Sequence, residues 1–264
     1  MKIPHFSSKK ELFKFLVENK DDLLSQKKAA IKQGDGIVFH NTLFDEKFEV
    51  SKEMDSGMNM DTAVIFVQAI INTTNFIDSH MDLHLPKMWN RSLKESAKYI
   101  LHVQEHEMME FEKIISSGKD LKAYTKNISW RDLGYNYPGQ TEALLFESVV
   151  RKDRNPEMHK QYVRGWVTNH SVGMRYVQLV MCINDKEYGA EFEAWEKYLP
   201  MAVNPEVAEE KGYFWAVTEA KIIEGSAVPR GSNVITPTLE VRAMNSDKSI
   251  NYDKVLKMID NLKL

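Results

Sequence analysis

Cysteine is almost absent: Cys182 is the only one in 264 residues, which excludes an intrachain disulfide and a multi-cysteine zinc site. Such usage fits a reducing compartment. No apolar run approaches the roughly 18 residues of a membrane-spanning helix. Met1-Lys2-Ile3-Pro4-His5 meets charge and proline before any apolar stretch, unlike a secretory signal. A cytosolic protein is expected. Excess charge of either sign is also missing, since 35 basic against 38 acidic residues leave a net charge of −3. That balance supplies no strong whole-chain field for nucleic acid or membrane. Glycine and proline are few, 12 and 8, and with 43% hydrophobic and 28% charged residues they exclude collagen-like and wholly disordered classes. The chain is long enough for one large domain or two small ones, at about 100–200 residues each.

What is present begins with Ser8-Lys9-Lys10-Glu11, a capping-box pattern, followed at helical spacing by Leu12, Phe13, Leu16, Leu23 and Leu24. This predicts an amphipathic helix over residues 8–31, ended by Gly34-Asp35-Gly36. It packs on its own domain or serves as a docking arm. Ser51 to Asp61 reads as loop. From Ala63 to Ile71 the chain is rich in β-branched residues and suits a strand buried on both faces. Similar runs recur at Tyr99 to Val103, Leu144 to Val150, Ser171 to Ile183 and Trp215 to Ile223. Helical candidates lie between them at Trp89 to Ala97, Pro156 to Gly165 and Tyr188 to Tyr198. The fold class expected is α+β, with a mainly antiparallel sheet or barrel core surrounded by helices. The division is 1–61 as a helical extension, 62–241 as the main domain, and 242–264 as a linker with a short helix carrying Val255, Leu256, Ile259 and Leu262.

Three constellations can carry chemistry. Asn169-His170-Ser171-Val172-Gly173-Met174 places a serine beside a glycine that lets a carbonyl approach the backbone. It fails the nucleophile-elbow pattern, because Asn169 stands where the first glycine belongs. On a strand His170 and Ser171 point to opposite faces, so the base for Ser171 must come from elsewhere. His102-Val103-Gln104-Glu105-His106-Glu107 begins like the zinc-binding H-E-x-x-H, but Glu110 replaces its second histidine. His80-Met81-Asp82-Leu83-His84 would align alternate residues as a ligand row on one strand face; surface histidines or a structural turn are the competing account. Trp89, Trp130, Trp166, Trp195 and Trp215 are scattered among few basic residues and read as core or interface rather than a base-stacking platform. The charges from Glu187 to Glu196 read as a solvated helical face.

In order along the chain, four segments resemble motifs of the prohead proteases of tailed bacteriophages, the capsid-maturation serine peptidases related in fold to herpesvirus assemblins. They are Asp78-Ser79-His80-Met81-Asp82-Leu83-His84-Leu85-Pro86, His106-Glu107, Ser171-Val172-Gly173-Met174, and Ile222-Ile223-Glu224-Gly225-Ser226-Ala227-Val228-Pro229. The resemblance spans residues 62–237. Glycine is commoner in the family where His80 or Met81 stands, and Asp185 to Lys211 looks like a helical insertion. The resemblance implies an assemblin-like core. It makes Ser171 the nucleophile, His106 the general base, and Glu224 the group that orients the imidazole, with Gly173 and nearby N–H groups as oxyanion donors. It implies a serine endopeptidase that needs no cofactor or metal. Such an enzyme cleaves scaffold protein, or the scaffolding segment of the major capsid protein, and itself, inside the immature capsid in the host cytoplasm. A homodimer is the expected assembly, with neither nucleic acid nor membrane as partner. The rival readings are a catalytically silent scaffold or assembly protein of protease fold, and a zinc metallohydrolase built on His102, His106 and Glu107.

Overall fold

Alternation along the run Val64–Thr73 decides the architecture: Ile65, Val67, Ala69 and Ile71 point to one side and Ile70 to the other, and all are buried. The computed structural model describes residues 3–31, 53–54 and 62–244. Its strands are β1 Glu53–Met54, β2 Val64–Thr73, β3 Asp82–His84, β4 Leu101–Gln104, β5 Ile114–Ser117, β6 Leu121–Ser129, β7 Gln140–Arg151, β8 Asn169–Ile183, β9 Tyr213–Val228 and β10 Thr238–Ala243. Its α-helices are α1 Lys9–Glu18, α2 Lys20–Ala29, α3 Asn90–Ser96, α4 Pro156–Val163, α5 Gly189–Tyr198 and α6 Pro205–Lys211. The class is mixed α+β with antiparallel-rich sheets, as expected.

The barrel is not formed. One sheet runs β1-β10-β2-β7-β6; in the other, β9 is flanked by β8 on one edge and by β3 and β4 on the opposite edge, with β5 beyond β4. Neither sheet closes on itself. Their facing sides share a core in which Ala69, Ile71, Leu144 and Phe146 meet Val172, Met174, Trp215, Val217 and Ile222. A sheet that buries apolar residues on both faces has no need to close, because helices and loops cover what the second sheet leaves bare. Trp130, Leu133 and Ile235 cover the outer side of β2 and β7 around Ile70 and Leu145. The 185–211 insertion folds as α5 and α6, and Trp195 and Ala208 seal Phe214, Ala216 and Cys182. Trp166 stays exposed, whereas the other four tryptophans are buried.

The predicted helix over 8–31 is two helices. Ser8 Oγ caps α1 by accepting from Glu11 N–H, but Asn19 folds its side chain back, Nδ2 donating to Phe15 O at 2.8 Å, and the axis breaks there. Both helices lie against the main core through Phe13, Leu16 and Leu23. Three lysines tie them down: Lys9 to Glu209 O, Lys20 to Glu191 at 2.6 Å, and Lys27 to Asp82 at 2.5 Å. Glu191 is therefore buried, not part of a solvated helical face. Within the predicted 51–61 loop, Glu53–Met54 is a strand paired with β10. The Gly34-Asp35-Gly36 stop and the helix around Val255 to Leu262 lie outside the described residues. Among the described residues no helix is long and apolar enough to cross a membrane.

Between the sheets lies a hydrogen-bonded chain of two histidines and a tyrosine. His170 Nδ1 is 3.1 Å from Thr236 O, a carbonyl that can only accept, so Nδ1 carries the proton and Nε2 must accept from Tyr162 OH at 3.0 Å. Tyr162 then accepts from His102 Nε2–H at 3.1 Å, which leaves His102 Nδ1 to accept from Ser148 Oγ at 2.8 Å. Every position is satisfied with both imidazoles neutral. Burial pushes the His170 pKa down to about 4 and that of His102 well below its ordinary value of 6.5. The unfolded chain takes up these protons near 6.5 and the folded chain resists them. Stability is therefore full above about pH 6.5 and falls as pH drops toward 4, by about 1.4 kcal/mol per pH unit for each histidine. Urea denaturation between pH 7.5 and 4.5 checks this. His170→Asn should be less stable at pH 7 yet show a shallower slope, and an unchanged slope would contradict the assignment.

Candidate active site

Strand β9 organises the site from both edges. Antiparallel β8 sets Ser171 against Ser226 and Gly173 against Glu224, while parallel β4 sets Val103 against Ser226 and Leu101 against Glu224. Directly paired residues project from the same side of a sheet, as do residues two apart. Ser171, Gly173, Glu224 and Ser226 thus share one face, and His102, His170, Val172 and Gly225 the other. The second face is turned inward: a Cβ at Gly225 would overlap Phe146 and Ile71 of the facing sheet. The first face carries the residues named from the sequence.

His106 reaches that face by a reversal of the chain. Glu105 N–H makes the last rung of the β4–β9 ladder, donating to Ala227 O at 3.0 Å. Glu105 and His106 then adopt left-handed φ values of 51° and 64°, which cost a non-glycine residue about 1–2 kcal/mol each. Glu107 N–H closes the turn on Gln104 O at 2.9 Å, and His106 N–H donates to Ser226 Oγ at 2.8 Å. The imidazole swings back over the sheet and places Nδ1 2.6 Å from Glu224 Oε1.

Glu224 is wholly buried. Burial pushes its carboxyl above the ordinary range, while the His106 ring and the Gly173 backbone N–H favour the charged form and pull against it. Its Oε2 is buried with no hydrogen-bond partner among the described residues. Gly173 makes this arrangement possible, since a Cβ there would overlap the carboxylate. The carboxylate therefore lies across β8 at Gly173, one same-face step of about 6.7 Å along the strand from Ser171. The Ser171 side is walled by the segment after β9, where a Cβ at Gly231 would sit 2.6 Å from His170 O and 3.5 Å from Ser171 Cβ. Ser171 and the His106 side chain retain 5% and 11% of their exposure, so little of this face is open to solvent.

Ser171, His106 and Glu224 are thus brought to one face, and His170 is sent to the other, as the strand period required. The place of Ser226 has a signal in the sequence, since the spacing Glu224-x-Ser226 on a strand puts both side chains on one face.

The metal readings separate in space. His102 faces inward to Ser148 and Tyr162 while His106 pairs with Glu224 on the opposite side, so the two do not converge on an ion. The His80-Asp82-His84 row is broken too. Asp78 Oδ1 accepts the N–H groups of His80 and Asp82 and shapes a turn in which Met81, at φ 61°, takes the left-handed position. Asp82 engages Lys27 and, at 2.7 Å, the Tyr176 hydroxyl, while His84 bonds Asn72 and Tyr176. Ligand atoms of Asp78, His80 and Asp82 lie within 4.8 Å of one another. The Lys27 ammonium already occupies the electrostatic place of a cation there.

No protein-family model, curated protein or solved structure matches the chain.

The steric claim at Gly173 can be measured directly. Gly173→Ala should displace the Glu224 carboxylate, lower stability by about 1–3 kcal/mol as overpacking does, and alter the His106 ring resonances. Gly189→Ala, where an added Cβ meets open space at the start of α5, should be neutral or slightly stabilising in the same urea titration.

Proposed function

We propose that the chain is a serine endopeptidase of the capsid-maturation type, in which Ser171 attacks, His106 moves the proton and Glu224 orients the imidazole. One observation carries the reading: the buried His106–Glu224 pair at 2.6 Å stands on the sheet face that also bears Ser171. Three of the four family-like motifs thereby meet, on β8, on β9 and in the turn after β4. The assemblin-like relation rests on the order of those motifs.

The chemistry follows from the tautomer. Glu224 accepts from Nδ1–H, which leaves the lone pair on Nε2 as the basic site. As Ser171 Oγ attacks a scissile carbonyl, Nε2 takes the hydroxyl proton and the imidazolium is offset by the carboxylate beneath it. Nε2–H then protonates the leaving amine, and water repeats the sequence on the acyl-enzyme. A carboxylate buried this deeply acts through little intervening water, which strengthens its hold on the imidazolium. The substrates in this reading are scaffold protein, the scaffolding segment of the major capsid protein, and the chain itself, inside the immature capsid. A homodimer is the proposed assembly.

A serine-reactive fluorophosphonate and self-cleavage of the full chain test it. The unaltered protein should be modified at Ser171. Ser171→Ala should fold normally, escape labelling and lose cleavage by on the order of 10⁴–10⁶-fold, and His106→Ala should slow both reactions severely. Equal cleavage by Ser171→Ala would remove the serine mechanism, and no labelling of a protein competent for processing would leave the catalytically silent assembly protein as the better reading.

A further inference from the structure

We propose that Ser226 is a positioning residue for His106: its hydroxyl ends the β4 ladder and turns the proposed base back onto Glu224. The inference rests on the reading of His106 as general base.

Register shows how much must be corrected. β4 and β9 run parallel with Val103 opposite Ser226 and Gln104 opposite Ala227. Extended further, His106 would stand opposite Pro229, five residues beyond Glu224 and about 16 Å from it at strand rise. Instead the ring touches Glu224. Reversal within two residues requires the successive left-handed conformations of Glu105 and His106, neither of them glycine. The His106 N–H must then be satisfied at a place where the ladder has stopped. Ser226 Oγ accepts it at 2.8 Å and donates onward to Val103 O at 3.2 Å.

Two anchors for one histidine thus stand two residues apart on one face of one strand. Glu224 holds the ring at Nδ1 and Ser226 holds the backbone at N–H, so both the place and the tilt of the imidazole are set by β9. Ser226 faces Ser171 directly across the ladder, but it is wholly buried and its hydroxyl is engaged as both donor and acceptor. It is suited to hold the base and unsuited to attack. A displacement of about 1 Å in a catalytic group can lower turnover 10²-fold, which makes the second anchor consequential.

The test compares the unaltered chain with Ser226→Ala by three readouts: exchange of the His106 amide, the His106 Nδ1–H proton resonance, and fluorophosphonate labelling at Ser171. Removal of the hydroxyl should abolish His106 amide protection while that of neighbouring β9 amides persists, and should shift or broaden the Nδ1–H signal. The maximal labelling rate should fall about 10- to 100-fold with the half-saturating reagent concentration unchanged. If Ser226→Ala does not fold, Ser226→Cys, whose thiol is a poorer acceptor of similar size, should show the same changes to a smaller degree. Unchanged amide protection and Nδ1–H signal, or altered signals with an unchanged labelling rate, would overturn the proposal. A chain unlabelled before any substitution would instead count against the peptidase reading, and the two resonance measurements would still decide whether Ser226 holds His106.

Discussion

A carboxylate stripped of water must be compensated, and around Glu224 that requirement shapes the neighbourhood. Unpaired, such a charge costs several kcal/mol. Here it is met by an imidazole at 2.6 Å and by the Gly173 N–H. Each compensation imposes its own condition. The backbone donor can come this close only because residue 173 has no side chain to collide with the carboxylate. The imidazole arrives only because the chain reverses after β4, through conformations that L-residues adopt at a cost. Glycine at 173, the turn at 105–106 and serine at 226 are three consequences of one buried charge.

The two-residue period of β8 and β9 keeps two kinds of histidine environment apart within a few ångströms. On the inner face His102 and His170 are neutral spacers in a hydrogen-bond chain whose polarity is fixed at one end by Thr236 O. On the outer face His106 sits against a carboxylate. Neighbouring letters of the sequence therefore have opposite duties: His170 packs inward and Ser171 stands on the outer face, Gly225 admits Phe146 and Glu224 holds the imidazole. The N-terminal helices extend the same economy of charge, since Lys27 and Lys20 pair with the buried residues Asp82 and Glu191.

Much of this is legible in the sequence. The β-branched runs predict β2, β7, β8 and β9, and the strand period sends His170 and Ser171 to opposite faces. Other elements escaped for definable reasons. β6 interleaves Lys122, Lys126 and Asn127 with small or polar residues, as an edge strand does, and so lacks a clear apolar alternation. The break at Asn19 was hidden because Leu12, Phe13, Leu16, Leu23 and Leu24 keep helical spacing across it, while the interruption comes from a side chain bonding a carbonyl four residues back. Between sheet and barrel the sequence leaves the choice open, because local periodicity cannot say whether a sheet's last strand returns to its first. Least visible was the course of His106. Nothing in Glu105-His106 advertises a left-handed turn, since the partner that makes it tenable is 120 residues away.

The pairing of β8 with β9 is uneven along its length. From Asn169–Val228 to Gly173–Glu224 the ladder runs without interruption, whereas the irregularities all fall between Gly173 and Leu179. Frame is therefore kept from Asn169 to Gly173 and again from Leu179 to Ile183, and renegotiated between them. Gaining or losing a single amino acid in that middle stretch can be absorbed by another bulge. The same event between Glu224 and Val228 would exchange the inward and outward sets of side chains at a stroke. Length variation should consequently be confined to the middle of this strand pair, however freely individual side chains drift at its ends.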